Sequence, residues 1–319
     1  MKLFKSIYLK TLYLLLTLSY GGIVCAQNTP HYSLYMLQQS FINPAAIGSY
    51  GYVNGALLFK KQWVGIDKAP TIKALDVNMP IGKTNSAIGV NVVDDQFGYT
   101  KNTQLTLNYA YRVRLSYKNF ISFGLGAMAN LYSANLSAIP VKDANDPLLN
   151  GDVATQFTPN FKFGAYYFTD NFYLGLGIPN LLANKYTASS INKYSASTSF
   201  DYNQLHFFVH SGWQKNIGAN LKFMPSVLVK QVAGAPLQVD ANVQFMINNK
   251  IGIGASYRTM GTYIGLLNIQ IVKQLNIAYA YNYHTGAIKP YTSGSHEVML
   301  GFKLVNTAKK MIPVDCPHF

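Results

Sequence analysis

The sequence has little charge, few cysteines and no long apolar run after its first residues. Charged residues make up 12% of the 319 residues, about half of the ~25% that is usual in soluble proteins. A large soluble protein with so few charges would be poorly soluble. After residue 26, no stretch approaches the 18 or more consecutive apolar residues of a membrane helix. A membrane protein of this composition would therefore have to cross the bilayer as a β-barrel.

The first 26 residues have the features of a cleavable secretory signal peptide. Three lysines form a basic start, residues 12–18 form an apolar core, and Val24-Cys25-Ala26 supplies a small-residue cleavage site. A membrane anchor is the alternative, but the apolar run is short for one. Removal of three lysines lowers the formal net charge from +14 to +11 (14 − 3), and Cys316 remains as the single cysteine. We therefore expect no intramolecular disulfide bond.

Apolar and polar residues alternate in short stretches along the rest of the chain. In TQLTLNYAYRVRL, residues 103–115, every second residue from Leu105 onward is leucine, tyrosine or valine, and the residues between them are mainly polar. This period of two predicts a β-strand. The polar faces of such strands carry mostly small or amide side chains, which suits the lumen of a membrane barrel better than the surface of a soluble protein. The lumen-facing polar residues predicted on this basis are Arg112, Arg114, Asp240, Arg258 and Glu297.

Fourteen such segments predict an all-β protein, a transmembrane antiparallel β-barrel of about 14 strands in the outer membrane. They cover residues 52–62, 70–81, 86–95, 101–115, 120–134, 157–168, 171–179, 204–215, 220–232, 236–248, 250–259, 262–273, 274–285 and 295–305. Short turns alternate with longer, irregular loops such as 135–156 and 180–203, so we expect the short-turn side and both termini to be periplasmic. The predicted organisation is a signal peptide (1–26), a periplasmic or lumen segment (27–50), the barrel (51–305) and a periplasmic tail (306–319).

Residues 40–51, SFINPAAIGSYG, do not alternate and predict an irregular segment. Asn43-Pro44 favours a turn, and the neighbouring small residues permit close packing. Two hypotheses remain open: the segment plugs the pore or meets a partner, or it simply leads into the first strand. The residues predicted to contact a partner are Phe41, Asn43, Pro44, Tyr50 and, at the end of the tail, Phe319.

No residue pattern indicates an active site, a cofactor or a resident metal ion. His206 and His210 share one face of a predicted strand, but four residues at about 3.3 Å each separate them by about 13 Å, too far for one metal ion. A barrel hydrolase using these histidines is a remote alternative. The loop 142–152 is rich in Asp and Asn and could hold calcium, although turn formation explains the same residues. The basic residues are scattered, so no nucleic-acid partner is expected.

Several blocks of the chain resemble the PorP/SprF family of type IX secretion system membrane proteins. They are HYSLYMLQQSFINPAAIGSYGYVNGALLFKKQWVGIDKAP (31–70), AYRVRL (110–115), SFGLGA (122–127), TDNFYLGLGIPNLL (169–182), KFMPSVLVKQVAGAPLQVDANVQF (222–245) and GSHEVMLGFKL (294–304). The ending CPHF is similar to the family's usual Ser-Pro-Arg-Tyr-Phe, but Cys316 and His318 are substitutions and one aromatic residue is absent.

The resemblance implies a non-enzymatic outer-membrane protein of Bacteroidota that works in secretion or gliding. The implied partners are type IX translocon subunits, periplasmic ring or motor lipoproteins, a large secreted adhesin as client, and outer-membrane lipid. The expected function is to bind or anchor that adhesin, or to couple to the translocon and ring. The alternative is a passive, porin-like channel for small solutes, because a barrel of this size is wide enough for a pore unless it is plugged.

Overall fold

The structure is a computed structural model that describes residues 29–82, 84–139, 152–189 and 193–304, without the side chains of 187–189 and 193–195. The predictions for the signal peptide, for most of loop 142–152, for the tail and for Phe319 fall outside these residues. Within the described ranges, no helix is long and apolar enough to cross a membrane.

The described residues contain seventeen strand segments. Fourteen antiparallel strands form a closed β-barrel, as the sequence predicts, because one strand consists of two consecutive segments and two further segments form a separate hairpin. The strands are β1 (Val53–Lys61), β2 (Thr71–Pro80), β3 (Ser86–Phe97), β4 (Thr100–Arg114), β5 (Phe120–Ala134), β6 (Val153–Phe168), β7 (Phe172–Ile178), β8 (Ala183–Ser189), β9 (Lys193–Ser199), β10 (His206–Trp213), β11 (Lys215–Ile217), β12 (Leu221–Val232), β13 (Gln238–Ile247), β14 (Ile251–Arg258), β15 (Thr262–Val272), β16 (Leu275–His284) and β17 (Ser295–Leu304). Strand β1 pairs with both β2 and β17, which closes the barrel. Strand β10 pairs with β7 and β12, and β11 continues β10 along β12.

Alternation along each strand separates the outer face from the lumen. On β4, Leu107 is 60% exposed, whereas Ala110 is fully buried and Arg112 is nearly so. The apolar and aromatic side chains thus form the outer face, and the small and polar side chains face inward. This is the inside-out arrangement of a membrane barrel.

The two ends of the barrel differ. The short-turn end carries the connections at 81–85, 115–119, 169–171, 218–220, 248–250 and 273–274, and β17 ends there at Leu304. The long-loop end carries the connections at 62–70, 135–152, 179–205, 233–237 and 285–294, with two tight turns at 98–99 and 259–261.

The loop predicted at 180–203 is not wholly irregular, because it contains the hairpin of β8 and β9 outside the barrel sheet. The sequence hides this hairpin because Ser, Thr and Ala occupy both faces of its strands, so the alternation is weak. The hairpin packs against the barrel wall, because the ring of Tyr186 stacks on the ring of Tyr132 of β5 with centroids 4.2 Å apart. The hydroxyl groups of Tyr186 and Thr158 are 3.3 Å apart.

Candidate functional site

The chain fills its own lumen with residues 29–52, which we call the plug segment. Seven of its large apolar side chains are at most 5% exposed: Tyr32, Leu34, Tyr35, Met36, Phe41, Ile42 and Ile47. Two 3₁₀ turns, Gln39–Phe41 and Pro44–Ala46, shape the middle of the segment. The second turn follows from its sequence, because Asn43 caps the backbone N–H of Ala45 and proline is preorganised for a first helical position.

The plug segment runs from the long-loop end of the lumen to the short-turn end. His31 and Ser33 contact Lys60 near the end of β1 at the long loops. The carbonyl of Gly48 accepts from Arg112, and its N–H donates to the side chain of Asn78. Arg112 and Asn78 both lie near the short turns. The described chain therefore begins near the opposite end of the barrel from Leu304. That both termini are periplasmic stays a prediction.

A buried ion pair holds the plug segment near the long-loop end. Lys60 on β1 lies 3.2 Å from Glu297 on β17, and both side chains are fully buried. Glu297 also accepts hydrogen bonds of 2.8 to 3.0 Å from the backbone N–H groups of Ser33 and Leu34. Lys60 donates to the carbonyl oxygen of His31. The two charges thus bind the backbone of the plug segment as well as each other.

Two further charged contacts lie in the same layer of the lumen. The guanidinium of Arg258 on β14 binds both carboxylate oxygens of Asp240 on β13 at 2.8 to 2.9 Å. The ammonium group of Lys230 lies 2.8 Å from Nδ1 of His31. Because an ammonium group can only donate, this contact requires Nδ1 of the imidazole to accept. We call Lys60, Lys230, Asp240, Arg258 and Glu297 the charged layer.

Asp76 on β2 anchors the middle of the plug segment. Its carboxylate accepts from the hydroxyl of Ser40 and from the amide of Asn78, both at 2.7 Å. It also accepts from the side-chain amides of Gln38 and Asn91. A buried carboxylate is tolerable only when its oxygens are satisfied in this way. Asp76 therefore fixes the position of the turn that begins at Gln39.

The turn at Asn43 and Pro44 sits directly against glycines of the wall. A Cβ atom added to Gly124 would collide with the backbone of Ala45, and one added to Gly164 would collide with the amide of Asn43. The Asn43 amide nitrogen donates to the carbonyl of Ala165 at 3.1 Å and lies 3.1 Å from Nε2 of the buried His210. These glycines let the plug backbone approach the strands closely.

The predicted lumen residues occupy different surroundings. Asp240, Arg258 and Glu297 belong to the charged layer, and Arg112 donates to the carbonyl of Gly48 at 2.5 Å. Arg114 instead lies at the end of β4, is exposed, and donates to carbonyl groups of the following turn.

The residues predicted to meet a partner are mostly enclosed. Phe41, Asn43 and Pro44 are buried within the barrel and pack against it. Tyr50 is half-buried and lines a cavity of about 220 Å³ at the short-turn end. Asn54, Lys222 and Lys303 also line this cavity. Their partner-binding role stays a prediction, and among those that the structure describes, only Tyr50 stands beside open space.

The described residues contain no group of three or more His, Cys, Asp or Glu side chains arranged to hold a metal ion. Of the loop predicted as a calcium site, the structure describes Asp152. A hydrogen bond of 3.0 Å from the backbone N–H of Ser137 lowers the pKa of the Asp152 carboxyl below its usual range.

The sequence analysis did not identify Lys60, Asp76 or the wall glycines that the plug segment packs against, Gly124 and Gly164, which we call the glycine seat. Asp76 and Asn78 alternate with apolar residues in TIKALDVNMP, so the period of two did carry a signal for an inward-facing carboxylate. No local signal identifies Gly124 or Gly164, because the part of the plug that they contact is about 80 and 120 residues away in the chain.

An apolar outer face on a closed barrel of fourteen strands defines an outer-membrane β-barrel protein, here with its lumen occupied by its own chain. The family model described as type IX secretion system membrane protein PorP/SprF matches residues 24–302. The chain belongs to this family, as the resemblance implies. A search of curated proteins finds no match.

Solved outer-membrane proteins are similar in fold but distant in sequence. The toluene transporter TbuX of Ralstonia pickettii is 10% identical, with a TM-score of 0.48 over 89% of this chain and 95% of that one. Omp33 of Acinetobacter baumannii is 9% identical, with a TM-score of 0.45 over 79% of this chain and 98% of that one. These scores are too low to carry a functional inference.

Proposed function

We propose that this outer-membrane component of the type IX secretion system is a closed, non-enzymatic anchoring barrel. It binds a secreted surface adhesin, or couples to translocon and periplasmic ring partners, through surfaces at its two ends. The observation that supports this proposal is the plug segment in the lumen. Because its own chain fills the lumen, the barrel has no open channel, and a partner protein can bind only at its end surfaces or its outer face.

The size of the plug interface favours a permanent plug over a gate that opens spontaneously. Burying one large apolar side chain contributes about 1.5–3 kcal/mol. The seven plug side chains named above would contribute roughly 10–20 kcal/mol together, as an upper estimate. Even half of this would hold the open state to fewer than about one molecule in a thousand. A passive channel for small solutes fits this interface poorly.

The long-loop end offers the better surface for a secreted partner. Phe200 and Tyr202 follow the β8–β9 hairpin and are 67% and 68% exposed. Exposed aromatic side chains beyond the membrane are typical anchors of protein interfaces. Tyr117 is equally exposed, at 70%, but lies in a turn at the short-turn end and provides a matched control.

The test is a mild-detergent pull-down of the tagged, full-length protein from its own outer membrane, with bound proteins identified by mass spectrometry. We expect the wild type and Y117S to recover translocon subunits, a periplasmic ring lipoprotein or one large adhesin. If an adhesin binds the long-loop end, the double variant F200S/Y202S should recover less than about a tenth of it, because two aromatic anchors are removed. Recovery of the barrel alone, at native levels and with a crosslinker present, would contradict the proposal.

A further inference from the structure

The outer face of the barrel carries an apolar groove where β17, β1, β2 and β3 lie side by side. Its volume is about 480 Å³. The apolar side chains that line it are Leu57, Phe59, Leu75, Val92, Val298 and Leu300. Leu57 and Phe59 are 49% and 46% exposed, so the groove opens away from the lumen. In a membrane barrel, this surface faces the hydrocarbon chains of lipids.

Strand register shows where the apolar face ends. One row of outward-facing residues across the strands is Leu300, Leu57, Leu75, Val92 and Leu105. The next row toward the long loops is Val298, Phe59, Lys73, Asp94 and Thr103. The row after it is His296, Lys61, Thr71, Gln96 and Lys101. The surface changes from fully apolar to polar and basic within two rows, as it does where lipid tails meet headgroups.

Aromatic side chains support the same boundary. Nδ1 of His296 in the polar row lies 2.6 Å from the hydroxyl oxygen of Tyr279, and the imidazole packs near the ring of Tyr281. Tyrosines that face outward at this level are typical of the aromatic girdle of an outer-membrane barrel. The headgroup layer of one leaflet therefore meets the barrel beside Lys61 and Lys73.

The charges above the groove are arranged for an anion. Three lysines and one aspartate give the two upper rows a net charge of +2 (3 − 1). Asp94 is directly opposite Lys73 in the register, but its carboxylate is engaged on the other side, where Lys101 lies 3.3 Å away and the hydroxyl of Thr103 donates at 2.7 Å. Lys61 and Lys73 form no ion pair with any described residue.

Lys61 and Lys73 are close enough to bind one phosphate together. Lys61 is directly opposite Thr71 in the register, so Lys73 is its diagonal neighbour on the next strand. Such neighbours are about 7–8 Å apart, within reach of two flexible lysine side chains that converge on one group. Basic residues at a membrane surface attract anionic headgroups, and an ammonium group is a strong partner for phosphate.

We propose that this groove and its two unpaired lysines bind one phosphorylated lipid of the outer leaflet. An acyl chain lies in the groove, and the phosphate lies between Lys61 and Lys73. The outer leaflet meets this groove when the long-loop end lies outside the cell, as in other outer-membrane barrels. Binding of the lipid is a separate property of the barrel. It does not depend on binding of an adhesin, so each proposal can fail without the other.

Native mass spectrometry of the full-length protein, extracted from its own outer membrane in mild detergent, tests retention of the lipid. We expect one phosphorylated lipid on the wild type and its loss from the variant K61Q/K73Q. The control K215Q/K250Q removes two exposed lysines near the short-turn end and should keep the lipid. Equal lipid content in all three proteins would overturn the proposal.

A binding measurement separates headgroup recognition from groove filling. Lipid-free protein is titrated with monophosphorylated lipid A and, separately, with the same lipid A after removal of its phosphate. We expect about 25-fold weaker binding of lipid A by K61Q/K73Q, from about fivefold for each lysine. L75W, which fills the groove, should weaken binding of lipid A with both lysines present. Heat-modifiable gel migration verifies that each variant is folded, and equal affinity of the wild type for both lipids would contradict phosphate recognition.

Discussion

Gly164 on β6 shows how closely single residues fit the plug segment to the wall. There is no room for even one methyl group between this glycine and the amide of Asn43. Glu297 shows a second kind of fit, because one carboxylate binds Lys60 and two backbone N–H groups of the plug segment. Steric fit and charge thus act on different parts of the same segment.

The substitution Gly164→Ala should therefore destabilise the protein. Overpacking of a closely packed site costs about 1–3 kcal/mol. Gly265→Ala is the matched control, since an added Cβ on that strand glycine meets nothing within 4 Å, and we expect a change within about 0.5 kcal/mol. Urea unfolding in detergent measures both. Equal stability of the two variants would show that the plug turn does not occupy its glycine seat.

Glu297→Gln should leave the ammonium group of Lys60 buried without its counter-charge. Breaking one side of a buried ion pair costs about 3–5 kcal/mol. The double variant K60M/E297Q should recover much of that loss, because no unpaired charge then remains in the lumen. The free energies of unfolding of the wild type, both single variants and the double variant form the cycle that measures this coupling. Additive losses would mean that the two charges act independently.

At the scale of elements, the plug segment is part of the hydrophobic core of the barrel. Strands with small and polar inner faces leave a lumen that cannot close by itself, and the plug segment supplies the apolar side chains that fill it. The glycines and alanines of the inner faces leave the space that the large side chains of the plug segment occupy. The plug segment is irregular because its backbone follows the shape of the barrel wall.

Deletion of residues 31–48 should therefore convert a closed barrel into a conducting one. We expect no steady conductance from the wild type in planar bilayers and a stable open pore from the deletion variant, because fourteen strands enclose a wide lumen. Gly164→Ala, which keeps the whole chain, should stay closed, because a loss of about 1–3 kcal/mol is small against the plug interface. Steady conductance of the wild type equal to that of the deletion variant would favour the porin-like alternative.

At the scale of the whole molecule, the two ends of the barrel have different structures. The long-loop end carries the β8–β9 hairpin and exposed aromatic side chains, whereas the short-turn end carries tight turns and the cavity beside Tyr50. Barrels of the outer membrane place their long loops outside the cell. The hairpin is therefore expected to face secreted proteins, and the cavity to face the periplasm.

Epitope insertions test this orientation. A tag inserted in the loop at 286–288 should bind antibody on intact cells, and a tag in the turn at 248–250 should bind only after the outer membrane is permeabilised. Gel migration of each tagged protein verifies its fold. Antibody binding to the turn tag on intact cells would reverse the orientation.

The sequence by itself determined the barrel, because period-two alternation is local and each strand reports which of its faces is apolar. Its short turns and blocks such as residues 31–70 also carried enough pattern to indicate the family that the match to residues 24–302 establishes. The positions of Asp240, Arg258 and Glu297 on polar faces followed from the same alternation.

Only the tertiary structure decided what fills the lumen. The contacts of Ser33 with Glu297 and of Asn43 with Ala165 join residues 264 and 122 positions apart. No periodicity within one strand specifies such a pair, because it depends on barrel closure and on the path of an irregular segment. The groove beside Lys61 and Lys73 depends in the same way on the register of strands β17, β1 and β2, since closure of the barrel brings the first and last strands together.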